Sequence, residues 1–128
     1  MKKLFLAFMT LLGLTACGQE NFENVDVAGF DSLRQEPNVI VLDVRTAEEY
    51  AEGHLAGALN IDQGEDDFEA KAKATLEKEK TIAVYCRSGR RSASASNRLA
   101  AEGYKCVNLK GGIIAWKDAG KPVVTDNN

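Results

Sequence analysis

The sequence predicts an α/β domain with a central, mostly parallel sheet flanked by helices, and two observations predict it. Val39-Ile40-Val41-Leu42 is a continuous apolar run of strand length, the pattern of a central strand covered on both faces. Strand-like and helix-like stretches then alternate through the rest of the chain, the order that parallel pairing through crossover helices requires. At 128 residues, with 45% hydrophobic and 27% charged side chains, the chain has room for one domain and enough apolar surface for a core.

Met1-Lys2-Lys3 and the apolar run over 4–14 have the charged start and hydrophobic stretch of a secretory signal, and the run is shorter than a membrane span requires. Leu14-Thr15-Ala16-Cys17 resembles the lipobox of bacterial lipoproteins, in which the cysteine is acylated and becomes the new N-terminus. The alternatives are an ordinary signal peptide or a buried helix with a chance cysteine. The lipobox reading divides the chain into a signal peptide at 1–16, a lipidated N-terminus and polar tether at 17–24, and a folded domain at 25–128. Cys17 is then the lipidation site, and the protein belongs in the cell envelope, held by a lipid anchor alone. Gly18 after that cysteine matches outer-membrane sorting if the cell is Gram-negative.

Asp26 is placed to cap a helix over 27–35 with Phe30 and Leu33 inward, and Glu36-Pro37-Asn38 ends it. The strand over 39–42 ends in Asp43-Val44-Arg45. Thr46 caps a short helix over 47–51, with Glu48 and Glu49 in the first turn, where the helix dipole favours acid. A glycine-flanked turn from Gly53 leads to a short strand near Ile61. The acidic stretch over 62–69 starts a helix whose Phe68, Ala72 and Leu76 share a face. Thr81-Ile82-Ala83-Val84-Tyr85 is a buried strand, followed by a loop over 86–91, a helix of small residues over 92–99, and Gly103 as its C-cap. Lys105 to Leu109 is a last strand. Gly111-Gly112 makes a tight turn, and a final helix over 113–118 carries Trp116.

The loop Cys86-Arg87-Ser88-Gly89-Arg90-Arg91 holds the chemistry. Backbone N–H groups and the positive end of the following helix surround it, and three arginines lie within five positions of the cysteine. Thiolate charge is stabilised by such a setting, so Cys86 is expected to be a nucleophile. Functional crevices in open α/β sheets lie beyond the carboxyl ends of the strands, where Asp43 and Arg45 also fall. Either Arg45 approaches the loop, or Asp43 and Arg45 form a structural ion pair.

Other classes lose support. The net charge of −3, from 16 basic and 19 acidic residues, becomes −5 once Lys2 and Lys3 are removed with the signal, against nucleic-acid binding. Three cysteines without a C-x-x-C pair and a single histidine argue against a zinc ribbon, a dithiol redox centre or a multi-histidine metal site.

Four pieces make the chain resemble the single-domain rhodanese (sulfurtransferase) family. They are Val41-Leu42-Asp43-Val44-Arg45; Glu49-Tyr50 with Gly53-His54-Leu55-Ala56-Gly57-Ala58; the loop 86–91; and Leu109-Lys110-Gly111-Gly112-Ile113-Ile114-Ala115-Trp116. Ala56 departs from the family, which often has proline in that turn. The resemblance implies a three-layer rhodanese-like domain, no cofactor or metal, and a small anionic donor such as thiosulfate. Cys86 would take the sulfane sulfur as a persulfide and pass it to cyanide or a thiol. It further implies that the loop amides cradle that sulfur and that Arg87, Arg90 and Arg91 attract the donor, with Ser88 and Gly89 completing the site. Gly89 needs a positive φ, and Ser92 caps the next helix.

Two rivals remain beside it. Cysteine-dependent phosphatases and arsenate reductases use C-x5-R, one residue longer than the C-x4-R of Cys86 and Arg91, with arginine where Ser92 stands. A catalytically idle, lipid-anchored binding module is the other, opposed by the intact cysteine loop. His54 reads as a local hydrogen-bonding residue near the site, with a Cys–His dyad as the alternative. Cys106 reads as a packed or half-exposed thiol, with a Cys86–Cys106 redox lock as the alternative. Nothing in the sequence points to an obligate assembly, so a monomer is expected.

Overall fold

Parallel strands in the middle of a sheet alternate their side chains between two faces, and both faces must be covered. The computed structural model describes residues 21–125, and within them this requirement is met by three layers. The elements are β1 (Glu23–Val25), α1 (Val27–Leu33), β2 (Val39–Asp43), α2 (Ala47–Glu52), β3 (Leu59–Asn60), α3 (Phe68–Thr75), β4 (Thr81–Tyr85), α4 (Arg90–Ala101), β5 (Lys105–Leu109) and α5 (Gly112–Asp118). The sheet order is β1-β5-β4-β2-β3, and every neighbouring pair is parallel.

Ile82, Val84 and Cys86 turn to one face, where they pack with Phe68 and Ala72 of α3 and Ala95 and Leu99 of α4. Ala83 and Tyr85 turn to the other, against Phe30 of α1 and Ile113 and Trp116 of α5. Phe30 meets the Tyr85 and Trp116 rings edge-on, each at a centroid distance of 6.4 Å. α2 has no fully buried residue and touches this second core through Tyr50. The α/β fold with a parallel sheet between helices is therefore as the sequence predicts.

Several boundaries differ. Glu23 and Asn24 were expected in the tether but belong to β1, paired to Val107 and Asn108 of β5. Without them the outer edge of β5 would leave its N–H and C=O groups unpaired. The Asn108 amide also donates to Asn24 Oδ1 at 2.9 Å. α3 starts at Phe68, near the end of the acidic stretch and not at its beginning, because Asp62 Oδ1 accepts from the Gly64 N–H at 2.8 Å and turns the chain there. α4 starts at Arg90 with Gly89 as N-cap, so Ser92 is inside the first turn and is not the cap. At its other end, Gly103 N–H to Ala100 and Tyr104 N–H to Leu99 close a Schellman motif. The expected signal peptide, Cys17 and Gly18 lie outside the described residues.

One buried charge fixes the carboxyl end of the sheet. The Asp43 carboxylate is fully buried and accepts from the Arg45 backbone N–H (2.9 Å), Arg45 Nε (2.9 Å), Arg45 Nη2 (2.7 Å) and the Tyr85 hydroxyl (2.7 Å). The same Arg45 Nη2 donates to the Gly53 carbonyl at 2.6 Å, and the Leu55 N–H donates to Tyr85 Oη at 3.0 Å. β2, β4 and the turn from Gly53 are thereby tied together. Breaking a buried pair strands the surviving charge, so Asp43→Ala should lower the unfolding free energy by about 3–5 kcal/mol. Tyr85→Phe, which loses the hydrogen bond to the Asp43 charge and the acceptor of the Leu55 N–H, should cost about 1.5–3 kcal/mol. Urea unfolding of both variants checks this order, and equal small losses would contradict it.

Candidate active site

β4 delivers Cys86 just past its last residue, and the chain then turns at once into α4. The turn depends on Gly89, whose φ of 100° lies in the left-handed region. A Cβ there would also press on the Gly111 nitrogen at 3.2 Å. This geometry aims donors at the sulfur. The Gly89 N–H reaches Cys86 Sγ at 3.1 Å, and the Ser92 hydroxyl, fully buried, donates to it at 3.3 Å.

α5 holds the loop from the other side. The first N–H groups of any helix lack partners within it. Here Ile113 N–H donates to the Cys86 carbonyl at 2.9 Å and Ile114 N–H to the Arg87 carbonyl at 3.2 Å. Gly112 allows the approach: a Cβ on it would overlap the Arg87 carbonyl and the Cys86 oxygen. The turn read from Gly111-Gly112 is thus also a contact surface for the cysteine loop.

Burial pushes the Cys86 thiol up, but the Ser92 hydroxyl and the N–H groups of Ser92, Gly89 and Ser88 outweigh it, and the pKa falls below its ordinary 9.0. Of the two sources the sequence points to, backbone dipoles and guanidinium groups, the loop amides are the main one, joined by one hydroxyl. Burial alone acts on Cys106, whose thiol is pushed up to about 12. Cys86 and Cys106 are both buried and free. Cys106 lies level with Ile82 in the β4–β5 register, four residues short of Cys86. At about 3.3 Å per residue the two are about 13 Å apart, beyond the reach of a disulfide. The Cys86–Cys106 redox lock therefore cannot form in this fold.

The arginines divide. Arg91 makes a two-pronged ion pair with Glu49, both bonds 2.9 Å long, and so is not a free anion receptor. The Arg91 guanidinium holds the Glu49 carboxyl down to about 2. Arg91 still feels the sulfur: Glu49 is the main cause of its raised pKa, and the Cys86 charge adds to it. Arg45 takes the structural alternative, paired to Asp43, yet it also lines the cleft beside the loop. Arg87 is exposed and lines that cleft. Arg90 is exposed and lies outside the cleft lining. His54 is buried, with Nδ1 2.8 Å from the Tyr50 carbonyl oxygen and its ring stacked on Tyr50 at 3.7 Å. It is a structural residue of the turn, and the dyad alternative has no geometry to support it.

The cleft has a volume of about 190 Å³ and is also lined by Glu49, Glu52, Gly53, Ile113, Ile114 and Lys117. Sequence reasoning did not single out Glu52 or Lys117, because exposed charges at helix ends carry no distinguishing pattern. Glu49 was read only as a first-turn acid. Its place in the site rests on Arg91, 42 residues away, and no local pattern encodes that pairing.

A strand that ends on a cysteine, a loop whose amides converge on its sulfur, and a glycine pair that presses the next helix against that loop define a small cysteine-centred site. Residues 26–119 match the model of the rhodanese-like domain. A sulfurtransferase of Allochromatium vinosum is 36% identical over 93 residues, covering 72% of this chain and 84% of the relative. The thiosulfate sulfurtransferase PspE of Escherichia coli is 40% identical over 83 residues, 65% of this chain and 76% of the relative. Among solved structures, a rhodanese-related protein of Thermoplasma volcanium superimposes with a TM-score of 0.73 at 33% identity, covering 82% of this chain and all of that one. The chain belongs to the rhodanese-like domain family, and its relatives support sulfurtransferase activity.

Because amides and Ser92 set the thiol's acidity, alkylation of Cys86 by iodoacetamide should reach half its maximal rate below pH 9.0. Ser92→Ala should move that midpoint to higher pH. Peptide mass spectrometry separates Cys86 from Cys106, and an unmoved midpoint would remove Ser92 from the role.

Proposed function

We propose that the chain transfers sulfane sulfur from an anionic donor such as thiosulfate to a thiol or cyanide through a persulfide on Cys86. The observation that carries this reading is the convergence of loop N–H groups and the Ser92 hydroxyl on a single sulfur atom. The Cys86 thiolate attacks the outer sulfur of thiosulfate. The S–S bond to the sulfonate breaks, its electron pair leaves on sulfite, and Cys86 keeps the sulfane sulfur. The transferred charge then meets donors already in place, which need no reorganisation during the step. Arg87 at the cleft favours approach of an anion. The thiosulfate sulfurtransferase relative from Escherichia coli supports this donor class. The C-x4-R spacing, with Ser92 turned onto the sulfur, favours a one-atom cradle over a phosphoryl site. No cofactor enters these steps.

Incubation of the protein with thiosulfate followed by intact mass measurement should show a gain of one sulfur atom, absent in Cys86→Ser. No gain from any sulfane donor, or turnover of a phosphate ester instead, would overturn the reading.

We also propose that Cys17 carries a lipid anchor in the cell envelope and that the domain works there as a monomer, without nucleic-acid partners. The charged start, the apolar run and Leu14-Thr15-Ala16-Cys17 support the anchor. Metabolic labelling with a fatty acid should mark the wild type and fail in Cys17→Ala; unchanged membrane partitioning of that variant counts against lipidation.

A further inference from the structure

Asparagine is a poor residue for the interior of a sheet, where extended backbone and apolar packing favour other side chains. Asn108 nevertheless sits in β5, between β1 and β4, and is 2% exposed. It lies level with Asn24 on one side and Val84 on the other. Its Nδ2 donates twice, to Asn24 Oδ1 at 2.9 Å and to the Gly89 carbonyl at 3.3 Å. Turning the amide over would set its oxygen against those same two acceptors, so the donor side is held toward the cysteine loop. The cost falls on the other atom. Asn108 Oδ1 is buried and, among the described residues, has no hydrogen-bond partner. Stability does not account for that arrangement. An apolar side chain of the same shape would remove the orphaned oxygen. It would also leave no other group stranded, because the Gly89 carbonyl keeps the Ala93 N–H at 3.2 Å and Asn24 is exposed to water.

Gly89 is the point at which this amide can affect the chemistry. Glycine takes positive and negative φ about equally well, so its own backbone does not select the φ of 100° that aims the N–H at Cys86 Sγ. We infer that Asn108 is a positioning residue for the sulfur: its amide pins the Gly89 carbonyl and so holds Gly89 in the left-handed conformation that directs its N–H onto Cys86. Asn108 acts only through Gly89. Asn24 in turn holds the amide, which links the first strand of the sheet to the loop. This role rests on the sulfurtransferase reading above only in taking Cys86 as the nucleophile.

The test is iodoacetamide alkylation of the full chain across pH, with peptide mass spectrometry to follow Cys86 and Cys106 separately. Weakening one hydrogen bond to the thiolate should raise the Cys86 midpoint in Asn108→Leu by about half a pH unit, a roughly threefold smaller thiolate fraction below the midpoint. The urea midpoint should stay level or rise, and Cys106 should remain as slow to react as in the wild type. The charges around the site stay as they are: Arg87, Lys117 and Glu52 at the cleft, and the Arg91–Glu49 and Arg45–Asp43 pairs. An unmoved Cys86 midpoint overturns the inference. So does a shift accompanied by a reactive Cys106, which marks a general loosening of the fold. Where Asn108→Leu does not fold, Asn108→Ala removes the same amide without bulk and is judged by the same midpoint and the same Cys106 control. A Cys86 that shows the expected shift yet takes no sulfur from any sulfane donor overturns the sulfurtransferase reading and leaves this one standing.

Discussion

A carboxylate with no water around it must find all its hydrogen-bond donors in the protein, and Asp43 finds them in Arg45 and Tyr85. That requirement shapes much of the carboxyl end of the sheet. Arg45 is drawn inward, Tyr85 keeps its proton because burial first and the Asp43 charge next push its pKa up, and the turn from Gly53 is hung on both side chains. One wall of the cleft is therefore built on a single buried charge. The opposite wall is the Cys86 loop, fixed by the first amides of α5. The site is the gap between two hydrogen-bonded frames, which holds reacting groups more closely than mobile loops would.

The division of labour among charges follows from this arrangement. Amides and a hydroxyl stabilise the thiolate, so its acidity costs the site no free cation. Arg91 and Glu49 neutralise one another, and through the Thr46–Glu49 capping box they also lock the first turn of α2 to α4. Among the described residues Arg87 and Lys117 line the cleft without an ion-pair partner.

The sheet was legible because its signals are local. Val39–Leu42 and Thr81–Tyr85 are short apolar runs, and their burial on two faces follows from a two-residue period. Cys86 was legible from strand, loop and helix in sequence, and Gly89 from the sharpness of that loop. What escaped depends on pairs distant in the chain. Asn24 reads as polar tether until Asn108 is set beside it. Ser92 reads as a cap, since serine favours helix starts, but Gly89 takes that place and frees the hydroxyl for the sulfur. Three adjacent arginines suggest one shared task, yet Arg91 is claimed by a carboxylate from another helix.

The register that sets Cys106 level with Ile82 also governs how the catalyst can be reset. Enzymes that discharge a sulfur adduct through a second cysteine of their own convert it to an internal disulfide and then await a reductant. Among the described residues the only second thiol is about four strand positions away and held protonated by burial. On the proposed mechanism, a sulfur atom taken up by Cys86 would find no internal route of discharge among the described residues. The lifetime of such a loaded form would be set by the supply of acceptor from outside, as in a sulfur relay and unlike a redox switch.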